Sequence, residues 1–236
     1  MKLSKVTFTG IDERTDLKRL VKLQEEYPFA EFGILLSYDW KENGNRFPSP
    51  EILSKFDGLG LNLSAHFCGQ AAVDVVLGKR FKIQELFGTS IKNFRRCQLN
   101  IKAARYLSNL RKLPSVPFID EVIVQMHTPE QCRQFLFGEH PKNMSFLLDG
   151  SGGRGISTPL EIVTSPGVHI GYAGGFGPGN YTISQLKILL AHPDEGRFWI
   201  DMETKVRNCE DWFDLDKVET VLKSCSSLLK RFEKQQ

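Results

Sequence analysis

Eight short apolar runs constrain the fold of this chain more than any other feature. Each run is rich in β-branched or aromatic residues, and a segment with helical spacing separates it from the next one. This alternation is typical of repeated strand-helix units. The predicted strands cover residues 5–9, 32–36, 61–66, 97–100, 121–126, 145–148, 169–173 and 198–201.

The number of these units favours a closed barrel of parallel strands. Eight strand-helix alternations in 236 residues fit an α/β fold of the (β/α)₈, or TIM-barrel, type. An open, doubly wound sheet is the structural alternative. No linker, low-complexity block or shift in composition divides the chain, so we expect residues 1–236 to form a single TIM-barrel domain.

Capping residues mark several of the intervening helices. Ser49 and Thr128 each precede a proline and a glutamate, which predicts a capping hydroxyl, a proline in the first turn and an acid near the positive helix end. Asp214 precedes the apolar stripe of a last helix, and a first helix is predicted over residues 15–27. Their apolar faces should cover the sheet.

Charge and composition limit the function classes. Lysine and arginine number 31 against 28 acids, so the net charge of +3 is too small and dispersed for nucleic-acid binding. No apolar run approaches the roughly 20 residues that cross a bilayer, so we expect no membrane partner. Five widely spaced cysteines without a secretory leader suggest a reducing, cytoplasmic location.

Glycine clusters follow two consecutive predicted strands, over residues 149–155 and 171–180. Glycine lets backbone amides converge on an anion, and TIM barrels commonly bind phosphate at the loops that follow their last strands. Gly153, Gly174 and Gly175 are therefore candidate phosphate ligands. The alternative is that these glycines only permit tight turns.

The polar segment after the eighth strand could complete such a site. Thr204 can donate a hydroxyl hydrogen and Lys205 a charge to the same phosphate, although a solvated polar loop explains these residues equally well. The expected ligand is an anionic small molecule. No cofactor or metal is expected, because the histidines, cysteines and acids lack a metal-binding spacing.

Six short segments near strand ends share a pattern with one known family. They are Thr7-Phe8-Thr9-Gly10-Ile11-Asp12, Arg46-Phe47-Pro48-Ser49-Pro50, Cys97-Gln98-Leu99-Asn100, Phe146-Leu147-Leu148-Asp149, Ala173-Gly174-Gly175, and Ile200-Asp201 with Val206. In this order they resemble motifs of the phosphoribosylanthranilate isomerases, barrels of tryptophan biosynthesis that catalyse an Amadori rearrangement. The resemblance spans nearly the whole chain, and each match alone is weak.

The resemblance implies an aldose-ketose isomerase acting on a phosphorylated ribosyl compound. Such a reaction needs an acid that opens the ribosylamine ring and a base that removes the C2 proton. Asp149 stands at the family's general-acid position, and its pKa would have to be raised above about 3.9 for that role. Arg46 and Asp201 stand where the family orients the anthranilate carboxylate and the amine or ribose hydroxyls. Asp149 could instead be a helix cap.

Three departures from the family change the chemistry of the barrel mouth. Thr9 replaces the general-base cysteine, and a hydroxyl is a far weaker acid than a thiol. Lys205 replaces a glycine of the last phosphate loop. Asn100, a candidate substrate-binding residue, replaces a histidine at the end of the fourth strand.

Substitute bases are available near the ends of strands three and five. His127 is the first candidate, followed by His66 and Cys68, although a lone histidine or cysteine is more often structural. A zinc site formed by these three residues is a remote alternative.

The sequence leaves more than one function open. The protein is either an isomerase or a binding or regulatory barrel that kept the phosphate site and lost the acid-base pair. A lyase with a Schiff-base lysine ranks last, because no lysine lies convincingly at a strand end. The chain is expected to act as a monomer or a homodimer.

Overall fold

Eight strands close into a barrel in which each strand pairs in parallel with the next along the chain and β8 pairs with β1. The computed structural model describes residues 1–113, 116, 118–152, 154–157 and 159–234. The predicted closed barrel is confirmed, and the open sheet is excluded. The strands are β1 (Lys2–Thr9), β2 (Ala30–Leu36), β3 (Leu63–Cys68), β4 (Phe94–Asn100), β5 (Glu121–Met126), β6 (Met144–Asp149), β7 (Ile170–Ala173) and β8 (Arg197–Met202).

Helices cover the outside of the barrel. They are α1 (Leu17–Glu26), α2 (Gly69–Val76), α3 (Arg80–Phe87), α4 (Leu107–Arg111), α5 (Pro129–Leu136), α6 (Asn180–Ala191) and α7 (Leu215–Glu233). The expected caps of α5 and α7 are confirmed: Thr128 accepts a hydrogen bond from the Gln131 amide, and Asp214 accepts from the Asp216 and Lys217 amides. None of the described helices is long and apolar enough to span a membrane.

Two connections differ from the predicted strand-helix alternation. Two 3₁₀ helices, Gly44–Arg46 and Pro50–Phe56, follow β2, and the Ser49 hydroxyl makes no capping hydrogen bond there, contrary to our expectation. No helix occurs in the described part of residues 150–169, between β6 and β7. Glycine, serine, threonine and proline dominate that segment, and these residues favour turns over a helix interior.

Side chains alternate between a thick apolar layer outside the strands and a polar interior. The outer faces of the strands belong to one large core that includes the helices, whereas Ile123, Leu147 and Trp199 form a small separate cluster at alternate strand positions. These three residues therefore fill the middle of the barrel. Bulky apolar layers usually fill the interior of a TIM barrel, and here they occupy only part of it.

A buried ionic cluster fills the amino-terminal end of the barrel. Arg96 binds Glu31 at 2.5 Å and Glu121 at 2.7 Å, and its guanidinium lies 4.4 Å from the ring centre of Trp199. His169 holds the second oxygen of Glu121 at 2.8 Å. These mutually neutralising groups close this end, so access to the interior is from the carboxyl ends of the strands.

Candidate functional site

A cavity of about 220 Å³ opens at the carboxyl-terminal end of the barrel. Strands β3 to β8 and the loops after β6, β7 and β8 form its wall, as expected for the active face of a TIM barrel. Six of the predicted site residues meet here: Asn100, Asp149, Gly174, Gly175, Asp201 and Thr204. Gly153 lies outside the described residues, but its neighbours Gly152 and Gly155 line the same cavity.

Asp149 lies at the end of β6 and is 3% exposed. One carboxylate oxygen accepts hydrogen bonds from the Ser151 amide at 3.0 Å and the Ser151 hydroxyl at 2.6 Å. The other accepts from the Gln125 amide group at 2.8 Å. Both oxygens are therefore held in one orientation at the cavity wall by neutral donors.

Asp201 lies on the adjacent part of the wall, near the end of β8, and accepts a hydrogen bond of 2.8 Å from the Thr9 hydroxyl. Burial raises the pKa of Asp201 to about 8 and outweighs the opposite effect of the Thr9 hydrogen bond. The nearby carboxyl groups of Glu203, Asp149 and Glu31 raise that pKa further. Asp201 thus keeps its proton at neutral pH.

Thr9 and His66 meet below this cavity, where β2 passes between β1 and β3. The His66 Nδ1 atom lies 3.5 Å from Thr9 Oγ1, and both side chains are buried. Gly33 makes this approach possible, because a Cβ atom there would lie 2.5 Å from Thr9 Oγ1 and 3.0 Å from His66 Nε2. Burial, with a smaller effect from the Arg96 charge, lowers the pKa of His66 to about 3. The imidazole is therefore neutral.

Asn100 connects β4 with β3 at the cavity edge. Its side-chain amide donates to Cys68 Sγ at 3.2 Å and accepts from Gln98 at 2.8 Å. Burial raises the pKa of the Cys68 thiol to about 12, despite the Asn100 hydrogen bond. Cys68 therefore stays a thiol near neutral pH, which disfavours it as a base.

Arg46 is held at the rim by two acids of other elements. Its guanidinium binds Asp211 at 2.9 Å and Glu203 at 2.8 Å, and Glu203 itself lines the cavity. The Arg46 contact with the Thr204 hydroxyl is longer, at 3.4 Å. Arg46 thus contacts the site through its partners and is not among the residues that line the cavity.

His127 lies apart from this wall. Its side chain is exposed and lines a second depression, of about 270 Å³, together with Tyr172 and Tyr181. Its Nδ1 atom lies 3.5 Å from the Asp149 carbonyl oxygen, on the main chain rather than the carboxylate. The structure therefore does not bring together all three histidine and cysteine candidates; His66 alone lines the cavity.

Three loops meet at the glycines predicted to bind phosphate. A Cβ atom at Gly175 would lie 2.5 Å from the Cα of Ser157, and one at Gly155 would lie 2.8 Å from the Cβ of Thr204. The Lys205 ammonium donates to the Gly175 carbonyl oxygen at 2.8 Å. Neither the Gly174 nor the Gly175 amide donates a hydrogen bond within the part of the chain that the structure describes. Both amides are available to an anion.

Several polar residues of the site were not predicted from the sequence. Gln125, Ser151 and Glu203 all line the cavity and contact predicted residues there. Gln125 and Glu203 had a detectable signal, because each lies two positions from another inward-facing residue in or just after a strand, and side chains alternate with a period of two. The turn that brings Ser151 back to Asp149 had no such signal.

Comparison with solved structures supports the fold. Phosphoribosylanthranilate isomerase from Thermus thermophilus has a TM-score of 0.56 and 15% identity, with 97% of this chain and 100% of that chain covered. Monomers generated from the dimeric isomerase of Thermotoga maritima give a TM-score of 0.55 and 14% identity, with 96% and 100% covered. A complex of the isomerase with reduced 1-(o-carboxyphenylamino)-1-deoxyribulose 5-phosphate gives a TM-score of 0.55 and 15% identity, with 96% and 100% covered.

No protein-family model matches the sequence, and no curated protein matches it significantly. At identities of 14–15% the shared architecture is the finding. The fold implied by the sequence motifs is thus the fold of the molecule.

Proposed function

We propose that this protein is an aldose-ketose isomerase of the Amadori type, acting on a phosphorylated ribosyl or aminosugar compound. The observation that carries this proposal is the meeting of two buried carboxyl groups, Asp149 and Asp201, with the glycine loops after β6 and β7 around one cavity. Isomerisation needs groups that exchange protons beside a site that anchors the ligand. The solved isomerases share this architecture over their whole length.

The phosphate binds at the loops after β6, β7 and β8. The free amides of Gly174 and Gly175 point to this place, with Thr204 and Lys205 adjacent. Gly153 remains a ligand predicted from the sequence alone. Oriented amides bind an anion without a large net charge, which matches the net charge of +3. Lys205 would exchange its bond to the Gly175 carbonyl for one to the phosphate.

The sugar extends from that loop across the two carboxyl groups. Asp149 serves as the general acid that protonates the ring oxygen, and the hydrogen bonds from Gln125 and Ser151 aim it. Asp201 and Asn100 face the ribosyl hydroxyls and the amine. Arg46 binds the carboxylate of an anthranilate-like aglycone by exchanging its present partners, Glu203 and Asp211, for the substrate. Thr9, His127 and His66 are the remaining candidates for proton transfer.

A binding barrel without catalysis is the second candidate, and one observation favours it. The hydroxyl of Thr9 already donates to Asp201, so the residue at the family's base position holds a neighbouring carboxyl group instead of a free thiolate. Such a barrel would hold a phosphosugar unchanged.

Turnover of phosphoribosylanthranilate decides between the two candidates. The isomerase should convert it to 1-(o-carboxyphenylamino)-1-deoxyribulose 5-phosphate, and Asp149→Asn should abolish the conversion. Thermal stabilisation by ribose 5-phosphate measures binding in parallel. Stabilisation without turnover would select the binding barrel, and the absence of both would reject the phosphosugar site.

A further inference from the structure

Three side chains from three strands form a continuous contact chain beneath the cavity. Asp201 Oδ1 accepts from Thr9 Oγ1 at 2.8 Å, and Thr9 Oγ1 lies 3.5 Å from His66 Nδ1. Catalytic hydrogen bonds are often long in the empty site and shorten when substrate binds. The chain therefore connects a buried carboxyl group with a buried imidazole.

The contact chain is competent only when Asp201 is ionised, which its pKa of about 8 makes the minor form at neutral pH and the major form above 8. In that form the count of donors and acceptors fixes the direction of each hydrogen bond. An ionised carboxylate only accepts, so the single hydroxyl hydrogen of Thr9 goes to Asp201. The hydrogen between Thr9 and His66 must then come from His66 Nδ1. A neutral imidazole carries one proton, so the Nε2 atom is left with a free lone pair.

The contact chain from Asp201 through Thr9 ends at His66, a residue that lines the cavity. His66 Nε2 is buried and has no hydrogen-bond partner within the described residues, while His66 is part of the cavity wall. A buried polar atom without a partner is costly and calls for an explanation such as a ligand. The Nε2 atom of His66, a residue of the cavity wall, is such a case.

We propose that His66 is the catalytic base that removes the C2 proton of the substrate, with Thr9 and Asp201 as positioning residues that receive its other proton. This inference rests on the isomerase reaction proposed above. It supplies the base that the replacement of cysteine by Thr9 removes.

The proton transfer balances without any further reactant. In the ring-opened, protonated Schiff base, the C2–H bond breaks and its proton binds His66 Nε2. The C2–H electron pair forms the C1–C2 double bond, and the former C1–N π pair moves to nitrogen. At the same time the Nδ1 proton passes to Thr9 Oγ1, and the hydroxyl proton of Thr9 passes to the Asp201 carboxylate.

The pKa values of His66 and Asp201 explain why the base needs the contact chain through Thr9. His66 alone is a poor base, because burial and the Arg96 charge disfavour the imidazolium and lower its pKa to about 3. Asp201 binds a proton well, since burial raises its pKa to about 8 and Glu203, Asp149 and Glu31 face it with further negative charge. Passing the proton on avoids a buried imidazolium.

The first test uses the ligand-free protein and nitrogen NMR. Chemical shifts of the ring nitrogens report which one carries the proton. His66 should hold its proton on Nδ1 at pH values well above 8, where Asp201 is ionised, and shift towards Nε2 below that value. Thr9→Val and Asp201→Asn should each remove this pH response, and His66→Asn assigns the signals. A tautomer that ignores pH in the unaltered protein would overturn the proposed chain.

The second test measures isomerase kinetics. His66→Asn and Thr9→Val should each lower kcat at least ~100-fold with KM nearly unchanged. The double variant should be no slower than either single variant, since groups that act as one unit are not additive. Thr9→Ser should retain most of the activity. Thr7→Val is the matched control, because it removes another buried hydroxyl of β1, one that donates to Glu31.

The possible outcomes are separable. If the unaltered protein shows no turnover, the isomerase function fails and the base fails with it, whatever the NMR response. If turnover is present but survives His66→Asn or responds equally to Thr7→Val, only the base is wrong. Circular dichroism and thermal melting of each variant identify those that lose activity through unfolding.

Discussion

Thr9 donates its hydroxyl hydrogen to Asp201 across 2.8 Å, where the first and last strands of the barrel lie side by side. This contact occupies the position where the resembled family has a free cysteine. The Thr9 hydroxyl thereby lies between two titratable side chains of other strands, Asp201 and His66. The free energy of unfolding should depend on this link as much as catalysis does.

Asp201→Asn should stabilise the protein at neutral and alkaline pH. The pKa of Asp201 is raised from 3.8 to about 8 on folding, so between these values the folded state binds more protons than the unfolded state. Stability therefore falls with rising pH across this window, by at most about 1.4 kcal/mol per unit for one proton. The asparagine variant has no carboxyl group to titrate, so it avoids this decrease in the free energy of unfolding. Its side-chain oxygen can still accept the hydrogen bond from the Thr9 hydroxyl.

Denaturant unfolding at a series of pH values checks this expectation. The unaltered protein should lose stability from pH 4 towards 8 relative to Asp201→Asn, and the two curves should run parallel above 8. Asp216→Asn, a surface acid on α7, is the control and should leave the slope unchanged. Identical slopes for the unaltered protein and Asp201→Asn would contradict a raised pKa.

Asp149→Asn should separate binding from catalysis. The variant keeps the shape of the side chain but lacks an ionisable proton, so kcat should fall at least ~100-fold. Binding of ribose 5-phosphate should change little, because the phosphate loops are not altered. Calorimetric affinity and steady-state kinetics measure the two properties. Full activity of this variant would show that Asp149 is not the acid.

Gly175→Ala should damage the phosphate site. Gly175 has φ +76° and touches the Ser157 backbone, so a methyl group there would displace the loop after β6. We expect phosphosugar affinity to fall at least ~10-fold, the equivalent of about 1.4 kcal/mol. Gly167→Ala is the matched control: its φ is +75°, but nothing lies within 4 Å of the added methyl group.

Isothermal titration with ribose 5-phosphate and thermal melting check both glycine variants. The two variants share the cost of a left-handed alanine, about 1–3 kcal/mol. The affinity loss should therefore be confined to Gly175→Ala. Equal affinities would remove Gly175 from the phosphate site.

All eight strands could be predicted from their apolar residues, and the two largest errors at a strand start, in β1 and β4, lie where the start of the strand contains charged residues. Strand β4 was predicted from Cys97, but it begins at Phe94, because Glu31 and Glu121 neutralise Arg96 inside the barrel. Strand β2 likewise begins before Glu31. Sequence patterns treat charged residues as exposed, and only the closed barrel brings these partners together.

The candidate site was predictable as a set of strand ends, but the contacts within it were not. Motif order placed Asp149, Gly174 and Asp201 on one face, and the structure shows them on one cavity. The chain between Asp201, Thr9 and His66 depends on Gly33, a residue whose only signal is its lack of a side chain. Such a close approach between side chains of three strands cannot be inferred from the sequence, because it depends on the folded barrel.

The ionic cluster at the amino-terminal end should make the barrel sensitive to acid. Burial alone would raise the pKa of Glu121, but the His169 hydrogen bond and the Arg96 charge together lower it to about 2. The stabilisation by this lowered pKa is fully present above 4.5 and is lost as pH falls towards 2, by up to about 3 kcal/mol. Glu121→Gln should lower the free energy of unfolding near neutral pH. It should also reduce the fall of that free energy between pH 4.5 and 2. Urea unfolding between these pH values measures the effect, with exposed Glu130→Gln on α5 as control. If the free energy of unfolding of Glu121→Gln falls as steeply between pH 4.5 and 2 as that of the unaltered protein, the ionic cluster is not the source of the pH dependence.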